Sequence, residues 1–587
     1  MPPPGRKLSA DRVLQIAEAL PKMKAVRAKY KGTYGGAYLK GPARWQVSFF
    51  TANGAKEIAQ TIVDDTNGKV LEQWTGWQVA WTMARGYPGA FGRHVDALYI
   101  WLPLCLLFML PFARPPLTLL HLDLLVLLSF SVSLAFFNHA HIEASVPLAY
   151  PPLLYLLARM LWLLRRGRSG GQTNGPADRR ADGGPGGQAD GGPGSRSKPK
   201  PVRLLVPVPW LALGVMFLIG FRVALNVTDS NVIDVGYAGV IGAEKVVHGD
   251  RLYGGWPSDN EHGDTYGPVA YEAYVPFEQV FGWSGTWDDL PAAHAAAIFF
   301  DLLALALMFW LGLKLRGPTL GVLLAYAWAS YPFTLFALES NSNDTLVAVF
   351  VLAALLCASS KPGRLAGRAG SGVFAALAGL TKLAPLALAP VLATHGTLGA
   401  RSGGGGDGSL RWPTDRRSAN ARAYGAFLLA FAATAALAWI PALAHDSLHE
   451  IYARTLEYQA NRGSPFSVWG LYGWHTAETV VEAAAVVLAI ALAVIGRRDD
   501  AVGLAAACAA ILITVQLGIE HWFYLYIPWF FGLAMLALLT ARFAEHPAPA
   551  PPHEPTAPAN RPPWEPLPAG ASGPARLRMP SAAWPHT

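Results

Sequence analysis

The chain has 587 residues, 52% of them hydrophobic and only 15% charged. That balance argues against a large soluble enzyme, which would carry more charge, and describes a polytopic membrane protein. The net charge of +8 does not point to nucleic acid, because Lys and Arg gather in short segments beside apolar runs as topology signals do, and no nucleic-acid partner is expected.

Residues 1–95 lack membrane character. Ser9–Lys29 has helical periodicity with Ser9 and Asp11 placed as caps, and Arg44–Phe50 alternates like a half-buried strand. Glu57–Asp64 and Lys69–Trp74 flank Asp65-Thr66-Asn67-Gly68, a hairpin signal, so a small α+β domain is expected. The helix-plus-hairpin order, with Trp45-Gln46-Val47-Ser48-Phe49 followed by Val63-Asp64-Asp65-Thr66-Asn67-Gly68-Lys69-Val70-Leu71-Glu72, resembles the small extracytoplasmic PepSY-like domains.

Residues 96–164 hold three apolar runs, Ala97–Phe112, Leu117–Phe137 and Ser145–Leu164. Residues 165–203, rich in Gly, Pro, Asp and Arg, cannot bury enough apolar surface to order themselves and read as a flexible linker between two membrane modules. The second module, 204–542, offers spans at Leu204–Leu225, Pro291–Leu315, Thr319–Leu338, Thr345–Ala358, Tyr424–Leu443, Glu478–Ile495, Ala501–Gly518 and Trp522–Leu539. A Pro/Ala-rich tail, 543–587, reads as disordered. Cys105, Cys357 and Cys508 lie inside apolar runs without metal-ligand spacing and read as small hydrophobes.

Positive charge orients the spans. Arg165 and Arg166, Lys314 and Arg316, Lys361 and Arg364, Arg411 to Arg422, and Arg497 with Arg498 fall on the cytoplasmic side only if Ser371–Thr394 does not cross. That stretch is apolar on both sides of Lys382 and Pro385, and reads as a broken hairpin that enters the bilayer and returns; an ordinary span with one misleading loop is the alternative. Three polar regions then share the outer face: the acid- and aromatic-rich loop 226–290, the segment 444–477, and Ile519-Glu520-His521-Trp522. The same count puts the N-terminal domain outside, against its own Lys and Arg content.

The order of Asp234-Val235-Gly236-Tyr237, Gly242-Ala243-Glu244, Asp250-Arg251-Leu252-Tyr253 and Thr265-Tyr266-Gly267-Pro268 in the outer loop, followed by Asn343-Asp344 opening a span, Gly379-Leu380-Thr381-Lys382-Leu383-Ala384-Pro385, and Glu520-His521-Trp522, resembles the membrane glycosyltransferases of the GT-C fold, nearest to glycosyltransferase family 87. The resemblance covers about residues 204–542. It implies a polytopic helical bundle and a hexose, plausibly mannose, moved with inversion from a polyprenyl-phosphate donor to an extracytoplasmic glycan or glycolipid acceptor. No soluble cofactor is implied.

Chemistry asks for the same residue types. A carboxylate must take the acceptor's proton as the anomeric carbon becomes oxocarbenium-like, and Asp234 is the first candidate and Asp229 the second. The departing phosphate needs cations at bilayer depth, for which Lys382, Arg222, Arg454 and Arg462 are available. His521 beside Glu520 could orient the acceptor or relay a proton. Tyr237 and Tyr266 could stack on sugar, and Asn343 with Asp344 could hold donor polar groups. Asp229, Asp234, Asp259, Asp264 and His262 have no diagnostic metal spacing; a divalent cation is conceivable and no metal is assigned. The rival readings are a transporter or flippase of lipid-linked sugar and a non-catalytic envelope scaffold.

Overall fold

The computed structural model describes residues 1–54, 56–112, 117–166, 204–288, 290–360, 365–396, 413–495 and 500–542. The expected tail, most of the expected linker, and Lys361, Arg364, Arg411, Arg497 and Arg498 lie outside the described residues. The chain is a mainly α membrane protein with a small N-terminal sheet.

In the N-terminal domain the predicted helix is two, α1 (Ala10–Ala19) and α2 (Pro21–Lys29). Ser9 caps α1 by accepting from Arg12 N, and Leu20 turns extended because the residue before a proline is pushed out of the helical region. Four strands follow, β1 (Tyr34–Lys40), β2 (Arg44–Phe50), β3 (Glu57–Asp64) and β4 (Val70–Thr75), paired antiparallel in that order. The sequence reading has no β1, because Gly35 and Gly36 dilute the strand signal; Gly35 lets α1 close on the sheet, since a Cβ there would lie 2.5 Å from Leu14 Cδ1. Val13, Ala17, Met23, Trp45, Val47 and Phe49 form the core.

The longer helices continue as α3 (Leu98–Met109), α4 (Leu119–Asn138), α5 (Tyr150–Arg166), α6 (Val208–Asp229), α7 (Asp234–His248), α8 (Pro291–Arg316), α9 (Pro318–Ser330), α10 (Pro332–Glu339), α11 (Asp344–Ala358), α12 (Leu365–Thr381), α13 (Ala389–Thr394), α14 (Pro413–Ala438), α15 (His475–Val494), α16 (Ala501–Gly518) and α17 (Ile527–Thr540). Among the described residues seven helices are long and apolar enough to cross a membrane, eight if α9 and α10 count as one. Thr319–Leu338, predicted as one span, is bent by 57° at Tyr331-Pro332. Tyr331 is extended for the same pre-proline reason as Leu20.

The segment 371–394 is folded back. α12 ends at Thr381, Lys382 and Leu383 make the bend, and the chain returns through a 3-10 turn (Ala384–Leu388) and α13. Arg368, near the start of α12, donates to Leu392 O at 3.2 Å, so the return arm ends beside the place where the hairpin began. Gly379 leaves room for Leu386, whose Cδ2 a Cβ would approach to 2.2 Å.

The two modules separated by 165–203 in sequence are interlocked in space. Tyr331 donates to Leu127 O at 2.8 Å and Tyr326 to Leu107 O at 3.0 Å, while Ser133 and Ser145 both bond the Tyr524 hydroxyl. One hydrophobic core runs from Ala84 to Leu539.

A turn at Ser340–Asn343 locks the start of α7. Asn341 takes a positive φ of 49°, a conformation Asn tolerates, and its Nδ2 donates to Ser230 Oγ and Asn231 O. Ile233 N donates to Ser340 O. Gly236 lies against this turn so closely that a Cβ would sit 2.1 Å from Asn341 O, which is backbone and cannot rotate away. Gly236→Ala is therefore expected to cost about 1–3 kcal/mol through overpacking. Gly220→Ala in α6, where a Cβ meets nothing within 4 Å, should be neutral or stabilising. Thermal unfolding of the two variants in the same detergent checks the contrast.

Candidate functional site

Asp234 is the first residue of α7, where the helix N-terminus favours a carboxylate. Its Oδ1 accepts from Val235 N at 2.9 Å and its carbonyl accepts from Asn260 Nδ2 at 3.0 Å. Asp234 keeps access to solvent, yet protein surrounds it closely. Burial pushes its carboxyl above the usual range, opposed by the cations Arg462 and Lys382 and reinforced by Asp344. Asp234 is thus an exposed carboxylate set close to the charges of Arg462, Lys382 and Asp344.

Lys382 stands at the bend of the hairpin. Its Nζ lies 2.6 Å from Asp344 Oδ1, both groups being buried, and 5.2 to 5.5 Å from the ring centres of Tyr266, Tyr526 and Trp529. Trp529 Nε1 donates to the same Asp344 oxygen at 3.1 Å. Asp344 opens α11 with Asn343 as its cap residue, and Asp344 Oδ2 and Asn343 Oδ1 are buried without a hydrogen-bond partner. Tyr266 reaches Lys382 because Gly267 lets its loop touch the hairpin; a Cβ there would lie 2.0 Å from Leu380 O. Burial, and then the Asp234 charge, hold the Tyr266 hydroxyl well above its usual pKa, so it stays a neutral donor.

Arg462 lies close to Asp234, and His521 to Arg462 and Lys382. The guanidinium of Arg462 lies over the rings of Trp81 at 4.9 Å and Tyr458 at 5.9 Å, and its buried Nε has no hydrogen-bond partner. A cation held by rings keeps its charge for an anion, whereas that of Lys382 is met by Asp344. His521 Nδ1 faces Ser464 Oγ at 2.9 Å, which leaves Nε2 to serve a ligand. Burial, followed by the Arg462 and Lys382 charges, holds His521 well below its usual pKa, so the imidazole is neutral near pH 7.

The remaining candidates are engaged elsewhere. Arg222 makes a bidentate, buried pair with Asp301 on α8, at 2.9 and 2.5 Å, and donates to Ala329 O. It therefore braces α6 against α8 and α9 instead of joining the cluster. Asp229, at the end of α6, lies 2.7 Å from His94 Nδ1. Tyr237 is fully buried, stacked on Trp287 at 5.0 Å with its hydroxyl 3.5 Å from Asp259. Arg454 lies 3.6 Å from Asp264. Glu520 accepts from Ser464 N at 3.3 Å and faces His475 at 3.9 Å, next to the site but behind His521. Among the described residues the His/carboxylate group with metal-like spacing is His475, Glu478 and Glu520, none of which belongs to the metal set weighed from sequence. His475 Nδ1 lies 3.4 Å from Glu478 Oε2. A cavity of about 540 Å³ lies along the far half of α7, lined by Glu244, His248, Asp250, Trp256 and Trp283, and does not include Asp234.

Trp81, Ser464, Tyr526 and Trp529 belong to the site and were not singled out from the sequence. Tyr526 and Trp529 read as ordinary span residues, and Ser464 only as part of an outer segment. Trp81 lies at the edge of the N-terminal domain, where nothing in its neighbours signals a contact with His521.

No family model matches the chain, and no curated protein matches it. The chain is a mainly α, polytopic membrane protein with a small N-terminal sheet, in which parts of the region 226–290, the folded-back hairpin, the segment 444–477 and the junction before α17 bring ionisable groups together.

Proposed function

We propose that the protein is a membrane glycosyltransferase of GT-C type that moves a hexose from a polyprenyl-phosphate donor to a glycan or glycolipid acceptor. The observation that carries this reading is the closeness of Asp234, Lys382 with Asp344, Arg462, Tyr266 and His521, whose charges act on one another. Asp234 takes the proton of the acceptor hydroxyl as its oxygen attacks the anomeric carbon; the bond from that carbon to the phosphate oxygen breaks, and the lipid phosphate leaves with the electron pair. Arg462, with Lys382 behind it, meets the developing phosphate charge in a setting that amplifies such contacts. Neutral His521 orients the acceptor or donates to the leaving group. One displacement gives inversion.

The experiment is incubation of the chain, purified into lipid nanodiscs, with a panel of radiolabelled polyprenyl-phosphate hexoses and envelope glycolipids. Transfer with an inverted anomeric centre is expected, and bound donor without transfer in any combination would sink the proposal.

The raised Asp234 pKa fixes the sign of two pH effects. A base works ionised, so the transfer rate should climb as pH rises through a pKa above the free value of about 3.9. Because the folded-state pKa exceeds the unfolded one, the stability Asp234 contributes is present at low pH and lost as pH rises through the folded pKa. Asp234→Asn should then be at least as stable as wild type at pH 7, and should flatten the acid limb of any residual rate. A rate–pH profile and thermal unfolding across pH 4 to 8 check both signs.

A further inference from the structure

Trp81 lies between the short helix Trp77–Ala80 and the 3-10 turn Thr82–Arg85, where the N-terminal domain passes into the membrane part. Its ring centre is 5.2 Å from that of His521, inclined at 34°, and 5.6 Å from Phe466, nearly edge-on. Phe466 in turn stands edge-on to His521 at 5.3 Å, and the Arg462 guanidinium covers Trp81 at 4.9 Å.

Trp81 is not a loose flap. Buried Arg85 donates to Gln60 Oε1 on β3 and to Gln78 O, both at 2.8 Å, and lies over the Trp74 ring of β4. Gln78 Nε2 donates to Ala140 O at 3.3 Å. Gly86 lies in the left-handed region at φ 58°, and a Cβ there would come within 2.2 Å of Phe137 O. Phe91 packs on Phe523 at 4.6 Å, and Asn231 Nδ2 donates to Ala90 O at 2.8 Å. The connection from β4 to α3 is thus tied to the membrane part near His521, and Trp81 is fixed by the sheet at one end and by the membrane part at the other.

The bond to Ser464 restrains Nδ1 of His521, and the tilted Trp81 ring and the edge-on Phe466 ring bound the imidazole on two further sides. We propose that the N-terminal domain forms a wall of the site and that Trp81 is a positioning residue, which sets the plane of the His521 ring and so the direction of Nε2. The functional half of this inference rests on the glycosyltransferase reading; the packing half does not.

The test uses the full chain in nanodiscs as wild type, Trp81→Phe, Trp81→Ala and, as control, Trp77→Ala, whose exposed ring makes no contact with His521. Diethyl pyrocarbonate modification is followed residue by residue by mass spectrometry, with the exposed His94 and His475 as internal references. In Trp81→Ala the His521 modification rate should rise several-fold against both references, and in Trp81→Phe and Trp77→Ala it should stay at the wild-type value. In the transfer assay Trp81→Ala should lower kcat by about twofold to tenfold with KM for the donor unchanged, and Trp81→Phe should restore it. An unchanged His521 modification rate in Trp81→Ala overturns the packing; a raised KM with unchanged kcat overturns the positioning role. If wild type transfers no sugar the functional reading has failed, and the modification rates still decide whether Trp81 holds the ring.

Discussion

Asp234→Asn in nanodiscs is expected to lower kcat for sugar transfer by about 10² to 10⁴-fold with little change in donor binding. The substitution keeps the size of the side chain and, through the amide oxygen, an acceptor for Val235 N, so the start of α7 stays in place. What it removes is the group that takes the acceptor's proton. Single-turnover transfer with a radiolabelled donor, beside a donor-binding titration, checks the split. Equal turnover in the two proteins would pass the role to Asp229, whose carboxylate is 2.7 Å from His94 and must first leave that pair. If the protein instead carries lipid-linked sugar across the bilayer, a reading that the bent pair α9–α10 and the buried Glu339 favour, donor would redistribute between leaflets with no new glycosidic bond in either protein.

The second large effect concerns Lys382 and Asp344. Lys382→Met leaves Asp344 buried opposite no cation, and breaking such a pair costs about 3–5 kcal/mol. In K382M/D344N neither charge is left stranded and Trp529 Nε1 still has an oxygen to donate to, so unfolding stability should return to within about 2 kcal/mol of wild type. Transfer should not return, because the phosphate loses a cation at the bend of the hairpin. The cycle separates holding the fold from doing chemistry; if the double variant transfers sugar at the wild-type rate, Lys382 serves the fold alone.

The fold-back of 371–394 was legible because the charge at its two ends, with Lys382 and Pro385 between, favoured a return over an ordinary span, and Arg368 lies beside Leu392. The break at Pro332 was equally visible in the sequence, but unbroken apolarity on both sides read as one span. Which cation joins the cluster around Asp234 was not legible at all. Arg222 and Arg462 look alike as letters, and only the pairing of the first with Asp301 and the stacking of the second on Trp81 and Tyr458 tell them apart. The docking of the N-terminal domain was hidden for a related reason. Its contacts join residues far apart in the chain, such as His94 with Asp229, and a local pattern carries no record of a distant partner.

The interlock of the first three apolar helices with the last one also sets an order in time. Ser133 and Ser145 emerge from the ribosome hundreds of residues before Tyr524, and the Ser133 contact closes over a separation of 391 residues. At ~5–20 residues per second, that hydroxyl waits roughly 20 to 80 seconds for its partner. Through that interval α9 can already cover Leu107 and Leu127, but the side of the early helices that meets Tyr524 stays uncovered, open to whatever insertion factor shields it. The site is therefore among the last parts of the protein to form, completed only when the final apolar helix arrives to cover that side.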